Sequence, residues 1–176
     1  FGPGLAQGIK RMRSSSGASD FNEFLDFFTD LSKKHGIYTV PGTMLLPARD
    51  GITNTSYLIS PAGKILGTQS QTHLNRDERG CGFVCGEDLR VFATSLGDLG
   101  FAICEDAWYP EVMRILTLKG ARIIIAPTAV PKPYSMWHQV RGMWQNIQQN
   151  QVFGIESCLV GFLGGVEFEG RSAIYA

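Results

Sequence analysis

The stretch Leu99-Gly-Phe-Ala-Ile-Cys-Glu-Asp-Ala-Trp-Tyr-Pro-Glu111, followed by Lys119-Gly-Ala-Arg-Ile-Ile-Ile-Ala-Pro127, decides the fold. Leu99 to Ile103 is a short apolar run and reads as a buried strand. Cys104 closes it, and Glu105 and Asp106 follow at once. Pro110 suits the first position of a helix, and the helix it opens runs to Lys119 and stops at Gly120. Arg122 to Ala126 is then a second apolar strand. A strand, a helix and a strand in this order make one strand–helix–strand unit of an α/β protein. They place one thiol at the carboxyl end of a strand, the edge where α/β proteins gather reactive groups. A thiol there is a candidate nucleophile. The alternative reading is a buried cysteine acting as a small apolar side chain.

Working outward, strands and helices alternate. Asp20 with Glu23 three residues on reads as a helix start, and Phe24, Leu25, Phe27, Phe28 and Leu31 give that helix an apolar face. Lys33-Lys34 and Gly36 read as its end. Ser14-Ser-Ser-Gly17 before it reads as a loop, beside a small basic run of Lys10, Arg11 and Arg13. Ile37 to Val40, continued by Gly42 to Leu46, is a strand. Asn54 to Ser60 and Lys64 to Thr68 form a hairpin about Pro61-Ala-Gly63. Leu89 to Thr94 and Leu99 to Ile103 form another about Ser95-Leu-Gly-Asp98. Met136 to Gln149 reads as one helix and Val152 to Val160 as a strand. Hairpins mixed with strand–helix–strand units predict an α/β protein with a mixed sheet.

Composition fits a globular enzyme and narrows its partners. The chain has 176 residues, 44% hydrophobic and 18% charged, enough for one domain with a core. Its 16 basic and 16 acidic residues cancel, so nothing in the charge argues for nucleic acid or an anionic membrane. No apolar run approaches the ~20 residues of a membrane helix. Cys81-Gly-Phe-Val-Cys85 lacks the two further ligands of a zinc site, and His35, His73 and His138 show no paired metal spacing. A Cys81–Cys85 disulfide does not suit the cytoplasmic setting expected here. Cys158, inside an apolar strand, reads as core.

The segment from Cys104 to Pro127 resembles the nucleophile region of the nitrilase superfamily, the carbon–nitrogen hydrolases. Other pieces match in the same order: Asn54-Thr55, Gly63, Gln69-Ser-Gln-Thr-His-Leu-Asn-Arg-Asp-Glu78, Gly86-Glu-Asp-Leu-Arg-Val-Phe92, Gly97, Gly100, Trp137, and Asn150-Gln-Val152. The resemblance spans Gly36 to about Gly165. It implies a four-layer α-β-β-α sandwich and hydrolysis of a non-peptide carbon–nitrogen bond in a small amide, nitrile or carbamoyl compound, with a cysteine acyl-enzyme. It also implies no cofactor or metal, and a homodimer or higher homo-oligomer. The whole chain, 1–176, is expected to be a single such domain, incomplete at both ends, with the family's glutamate falling before Phe1.

In the family, cysteine attacks, a glutamate moves the proton and a lysine faces the oxyanion. Aligning His73-Leu74 with the family's histidine–leucine pair puts Gln71 where the lysine belongs. Glutamine donates hydrogen bonds but carries no charge, so it cannot lower a thiol pKa by Coulomb attraction. A catalytically impaired, ligand-binding relative is therefore the alternative to an active hydrolase. Glu78 matches a second family glutamate that holds the lysine and substrate; the competing reading is a surface acid in Arg76-Asp-Glu-Arg79. The backbone N–H of Glu105 is expected to face the oxyanion, with Asp106 structural. Trp108, Tyr109 and Trp137 are candidate pocket walls, or core and interface residues. His138 either approaches the pocket or is a satisfied structural histidine. Asn146 and Gln149 stand where the family tends to have arginine and glutamate.

Overall fold

The computed structural model describes the backbone of residues 15–163 and 165–176, and their side chains apart from residues 15–20, 138, 139 and 141. Helix α1 runs Ser15–His35. Three strands, β1 Thr43–Ala48, β2 Gly51–Ile59 and β3 Ile65–Ser70, make an antiparallel sheet in the order β1-β2-β3. A short helix, α2 Arg76–Gly80, follows. Strands β4 Val91–Phe92 and β5 Leu99–Phe101 lead into a 3-10 turn, Cys104–Trp108, and helix α3 Pro110–Leu118. Strand β6 Ile123–Thr128 is followed by α4 Met136–Gln139, a π-helical turn Val140–Trp144 and α5 Gln145–Asn150. Strands β7 Phe153–Cys158, β8 Gly161–Leu163, β9 Val166–Phe168 and β10 Ala173–Tyr175 complete the chain.

The second sheet has the order β10-β7-β6-β5-β4. Its three middle strands are parallel and its two edges antiparallel. Alternation along the strands sorts the core into two layers. Leu99, Phe101, Ile123 and Ile125 share one face with Leu58 of β2, and this is the seam between the sheets. At the edge of that seam Gly67 of β3 meets the Phe92 ring of β4, leaving no room for a side chain at 67. Ile124 and Ala126 point the other way, onto Val112, Met113 and Leu116 of α3 and Ile147 of α5. On the far side of the first sheet, Tyr57 meets Phe21 of α1 at 5.9 Å between rings, and the Ser32 hydroxyl donates to Thr39 Oγ1 at 2.7 Å. The layers are thus α1, the first sheet, the second sheet, and α3 with α5, the four-layer α-β-β-α sandwich.

The expected hairpins form, with β2 reaching back to Gly51 and turning tightly into β1 through Arg49-Asp50. Of 37–40, Thr39 alone makes a strand-like bridge, to Ile59. Three expectations need correction. Ser15 to Gly17 are helical, so Asp20 lies inside α1 rather than at its start; an established helix extends through weak formers at small cost per residue. Ser14 and the basic run lie outside the described residues. The helix expected over 136–149 is broken at Gly142, whose φ −89° and ψ −113° are not helical. Cys158 ends β7 half-buried rather than within the core. Of the other thiols, Cys81 packs on Ile52, Leu74 and Phe83, while Cys85 is exposed.

The seam between the sheets sets the stability of the platform that carries Cys104. Phe101 is fully buried in it. Phe101→Ala is expected to lower the unfolding free energy by about 3–5 kcal/mol. Urea denaturation checks this, and a loss below about 1 kcal/mol would contradict the packing described.

Candidate active site

Cys104 begins the 3-10 turn at the carboxyl end of β5 with φ 51°, a left-handed conformation that costs a non-glycine residue about 1–3 kcal/mol. The strand ends here because the chain must turn into α3, whose first residue is Pro110. The backbone N–H groups of Glu105 and Ala129 both act on the Cys104 sulfur. Glu105 is the next residue in the turn, and Ala129 follows β6, the parallel neighbour of β5. Two backbone amides from adjacent strand ends therefore both favour the thiolate of Cys104. This arrangement can hold a developing oxyanion beside an attacking sulfur.

The thiol itself is held neutral. Burial pushes the Cys104 pKa up to about 11, and the charges of Glu78 and Glu105 add to the rise. The Ala129 and Glu105 amides oppose it without overcoming it.

Gln71 and Glu78 meet beneath this site. Gln71 follows β3 and is 1% exposed. Its Nε2 donates to His73 O at 2.7 Å and to the Glu78 carboxylate at 3.2 and 3.3 Å. Its Oε1 accepts from Asn54 Nδ2 at 2.8 Å. Both amide hydrogens and the amide oxygen are thus committed to protein groups. Asn54 Oδ1 is buried with no hydrogen-bond partner among the described residues. Glu78 is buried rather than a surface acid. It closes a capping box at the start of α2, accepting from the Asn75 N–H at 2.8 Å while Asn75 Oδ1 accepts from the Glu78 N–H. Burial pushes the Glu78 carboxyl up, with Glu105 and Asp106 adding to it; the Asn75 and Gln71 donors oppose this.

Asp106 joins the two halves of the site. It is fully buried. Its carboxylate accepts from the Thr72 N–H at 3.0 Å, the Thr72 hydroxyl at 2.9 Å, the His73 N–H at 2.7 Å and the Ile103 N–H at 3.2 Å. His73 Nδ1 lies 3.2 Å from Oδ1. Burial pushes the Asp106 carboxyl up, and the Thr72 and His73 donors pull it partway back. The His73 ring stacks on Tyr109, 4.0 Å between centroids and 26° from parallel.

The aromatic candidates divide. Tyr109 packs against His73 at the site and against the helix-side core. Trp108 packs on that core too, its indole seated over Gly142. Trp137 is 69% exposed and walls no buried space. The side chain of His138 lies outside the described residues. Sequence reasoning missed the Ala129 amide, although the end of the apolar run at Pro127 marks the same rim of the sheet as Cys104. It also missed Thr72, whose role depends on Asp106, 34 residues away.

Two expected outcomes follow from this geometry. Alkylation of Cys104 by iodoacetamide requires the thiolate, so its rate should climb about tenfold per pH unit from about pH 8 to 10. A plateau below about pH 9 would contradict the raised pKa. Asp106→Ala strands several buried donors and is expected to cost about 3 kcal/mol or more in urea unfolding.

The chain is similar to a probable hydrolase, YhcX, of Bacillus subtilis (strain 168), 31% identical over 147 residues that cover 82% of this chain and 28% of that protein. It is similar to a nitrilase of Pyrococcus abyssi, 32% identical over 155 residues, 86% of this chain and 56% of that one. The chain therefore spans about half or less of the length of these relatives. Among solved structures, a carbon-nitrogen hydrolase from Helicobacter pylori G27 superimposes with a TM-score of 0.77 at 26% identity, covering 88% of this chain and 59% of that chain. A mutant of the amidase from Nesterenkonia sp. AN1 superimposes with a TM-score of 0.83 at 21% identity, covering 96% and 65%, and supports the fold. The Carbon-nitrogen hydrolase family model matches residues 7–176, and the chain belongs to that family.

Proposed function

We propose that this protein hydrolyses a non-peptide carbon–nitrogen bond of a small amide, nitrile or carbamoyl compound through an acyl-enzyme on Cys104. The observation that carries the reading is the left-handed Cys104 at the sheet rim with the Glu105 and Ala129 amides on its sulfur. For an amide, Cys104 Sγ attacks the carbonyl carbon and the carbonyl π electrons move to oxygen, facing those amides. The thiol proton passes by way of a carboxylate to the nitrogen. The oxygen electrons return, the carbon–nitrogen bond breaks, and ammonia or an amine leaves a thioester. Water then attacks the thioester; its proton returns to sulfur, and the carboxylic acid is released. The resemblance assigns this proton transfer to a glutamate. Glu78 serves here by fixing Gln71, and Tyr109 and His73 by lining the approach. A homodimeric, cytoplasmic protein belongs to the same proposal.

Gln71 favours a second reading, a protein that binds such compounds and turns them over poorly or not at all. Its two amide hydrogens are spent on His73 O and Glu78, so it offers nothing to an oxyanion. It also leaves the Glu78 carboxylate without a positive charge from position 71. Two acceptors face the position, the Glu78 carboxylate and His73 O, and the Asn54 amide beside them would supply a third, its partnerless Oδ1, if turned about. That set matches the three donors of a lysine ammonium, one bond longer than the glutamine amide.

Gln71→Lys in the full-length protein tests both readings. On the hydrolase reading, the variant gains at least about a hundredfold in kcat/KM toward small amides, from one oxyanion donor and a lowered thiol pKa. If neither the wild type nor the variant releases ammonia or amine, while the variant folds and binds amides, the hydrolase reading fails and the binding reading stands.

A further inference from the structure

The break in the last helical stretch and the Cys104 turn are fitted to each other. Gly142 leaves the helical region, and the Trp108 indole fills the space a side chain would need. A Cβ at 142 would lie 3.0 Å from Trp108 Nε1 and 3.1 Å from Cδ1. Trp108 is the last residue of the turn that Cys104 begins. Four residues beyond Gly142, the Asn146 side chain is buried, at 2% exposure. Its Nδ2 donates to Ala107 O at 2.9 Å and to Gly142 O at 3.1 Å. One of these carbonyls belongs to the Cys104 turn and the other to the broken helix.

We propose that Asn146 and Gly142 are positioning residues for Cys104. Together they hold the far end of the turn, at Ala107 and Trp108, while Asp106 holds its near end through Ile103, Thr72 and His73. A left-handed cysteine persists only where its surroundings over-determine it. Here the turn is fixed at both ends, with Cys104 and Glu105 between them. The site needs a short donor to reach two carbonyls, and Asn146 supplies it. The break at Gly142 supplies the matching gap. The inference rests on Cys104 being the reacting group.

The test uses the full-length protein carrying Asn146→Asp or, separately, Gly142→Ala. The first keeps the size of the side chain and turns a donor into an acceptor facing two carbonyls. The second leaves Asn146 in place and presses on Trp108. Iodoacetamide alkylation of each cysteine is followed by peptide mass across a pH series, with Cys158 as the reporter of general opening. In both variants the Cys104 rate near about pH 8 should depart from wild type at least about fivefold, with its pH profile shifted, while Cys158 stays within about twofold of wild type. If melting temperature drops while the Cys104 profile is unchanged, or if Cys104 and Cys158 both speed up, Asn146 and Gly142 are merely structural and the proposal is overturned. Where the wild type turns over an amide, a fall in kcat with KM held supports positioning, and unchanged kcat overturns it. A wild type without turnover sinks the hydrolase reading alone, because the alkylation profiles still decide this one.

Discussion

The buried Asp106 carboxylate is the contact on which the site depends. Its donors come from two places: Ile103 just beyond β5, and Thr72 and His73 just beyond β3. These belong to different sheets of the sandwich. Without a shared acceptor, the segment carrying Gln71 and the turn carrying Cys104 would be two loops on facing layers. A carboxylate accepting several hydrogen bonds fixes both in one frame. The cost is a charge removed from water, which is why the Asp106 carboxyl titrates above its usual range despite its donors.

That frame makes the electrostatics of the site unusual. Three acids, Glu78, Glu105 and Asp106, stand close together, and the charges of the first two act on the thiol. A cation at position 71 would balance them. Gln71 satisfies the hydrogen bonds of Glu78 but not its charge. The result is a well-formed turn with converging amides around a sulfur that keeps its proton. On the proposed hydrolase reading the turn favours attack on a carbonyl, and the surrounding charges oppose it. The two proposed readings differ only in which effect prevails, and the structure locates that contest at one side chain.

Much of this was legible in the sequence because it is local. The β5–turn–α3–β6 unit is written in an apolar run, a proline and a glycine, each acting within a few residues. The burial of Gln71 beside Glu78 was reachable through the resemblance, since spacing alone left Glu78 as readily a surface acid. What stayed hidden depends on partners distant in the chain. The helix over 136–149 has an unbroken helical pattern, and its break falls at Gly142, where the Trp108 indole packs. Asn146 stood out only as a departure from the resemblance, and its hydrogen bond to Ala107, 39 residues before it, left no local trace. Trp108 and Trp137 look alike as apolar pocket walls in a sequence; packing put one on the helix-side core and left the other in solvent.

The central claim is that the Cys104 sulfur forms a covalent bond to a substrate carbonyl carbon. Intact-mass measurement of the full-length protein, mixed with a small amide and quenched in acid within seconds, tests it most directly. The account predicts an added mass equal to the acyl group, mapped to Cys104 and absent from Cys104→Ser kept at the same acid pH. An unmodified protein at saturating amide, with Cys104 still open to alkylation, would contradict it.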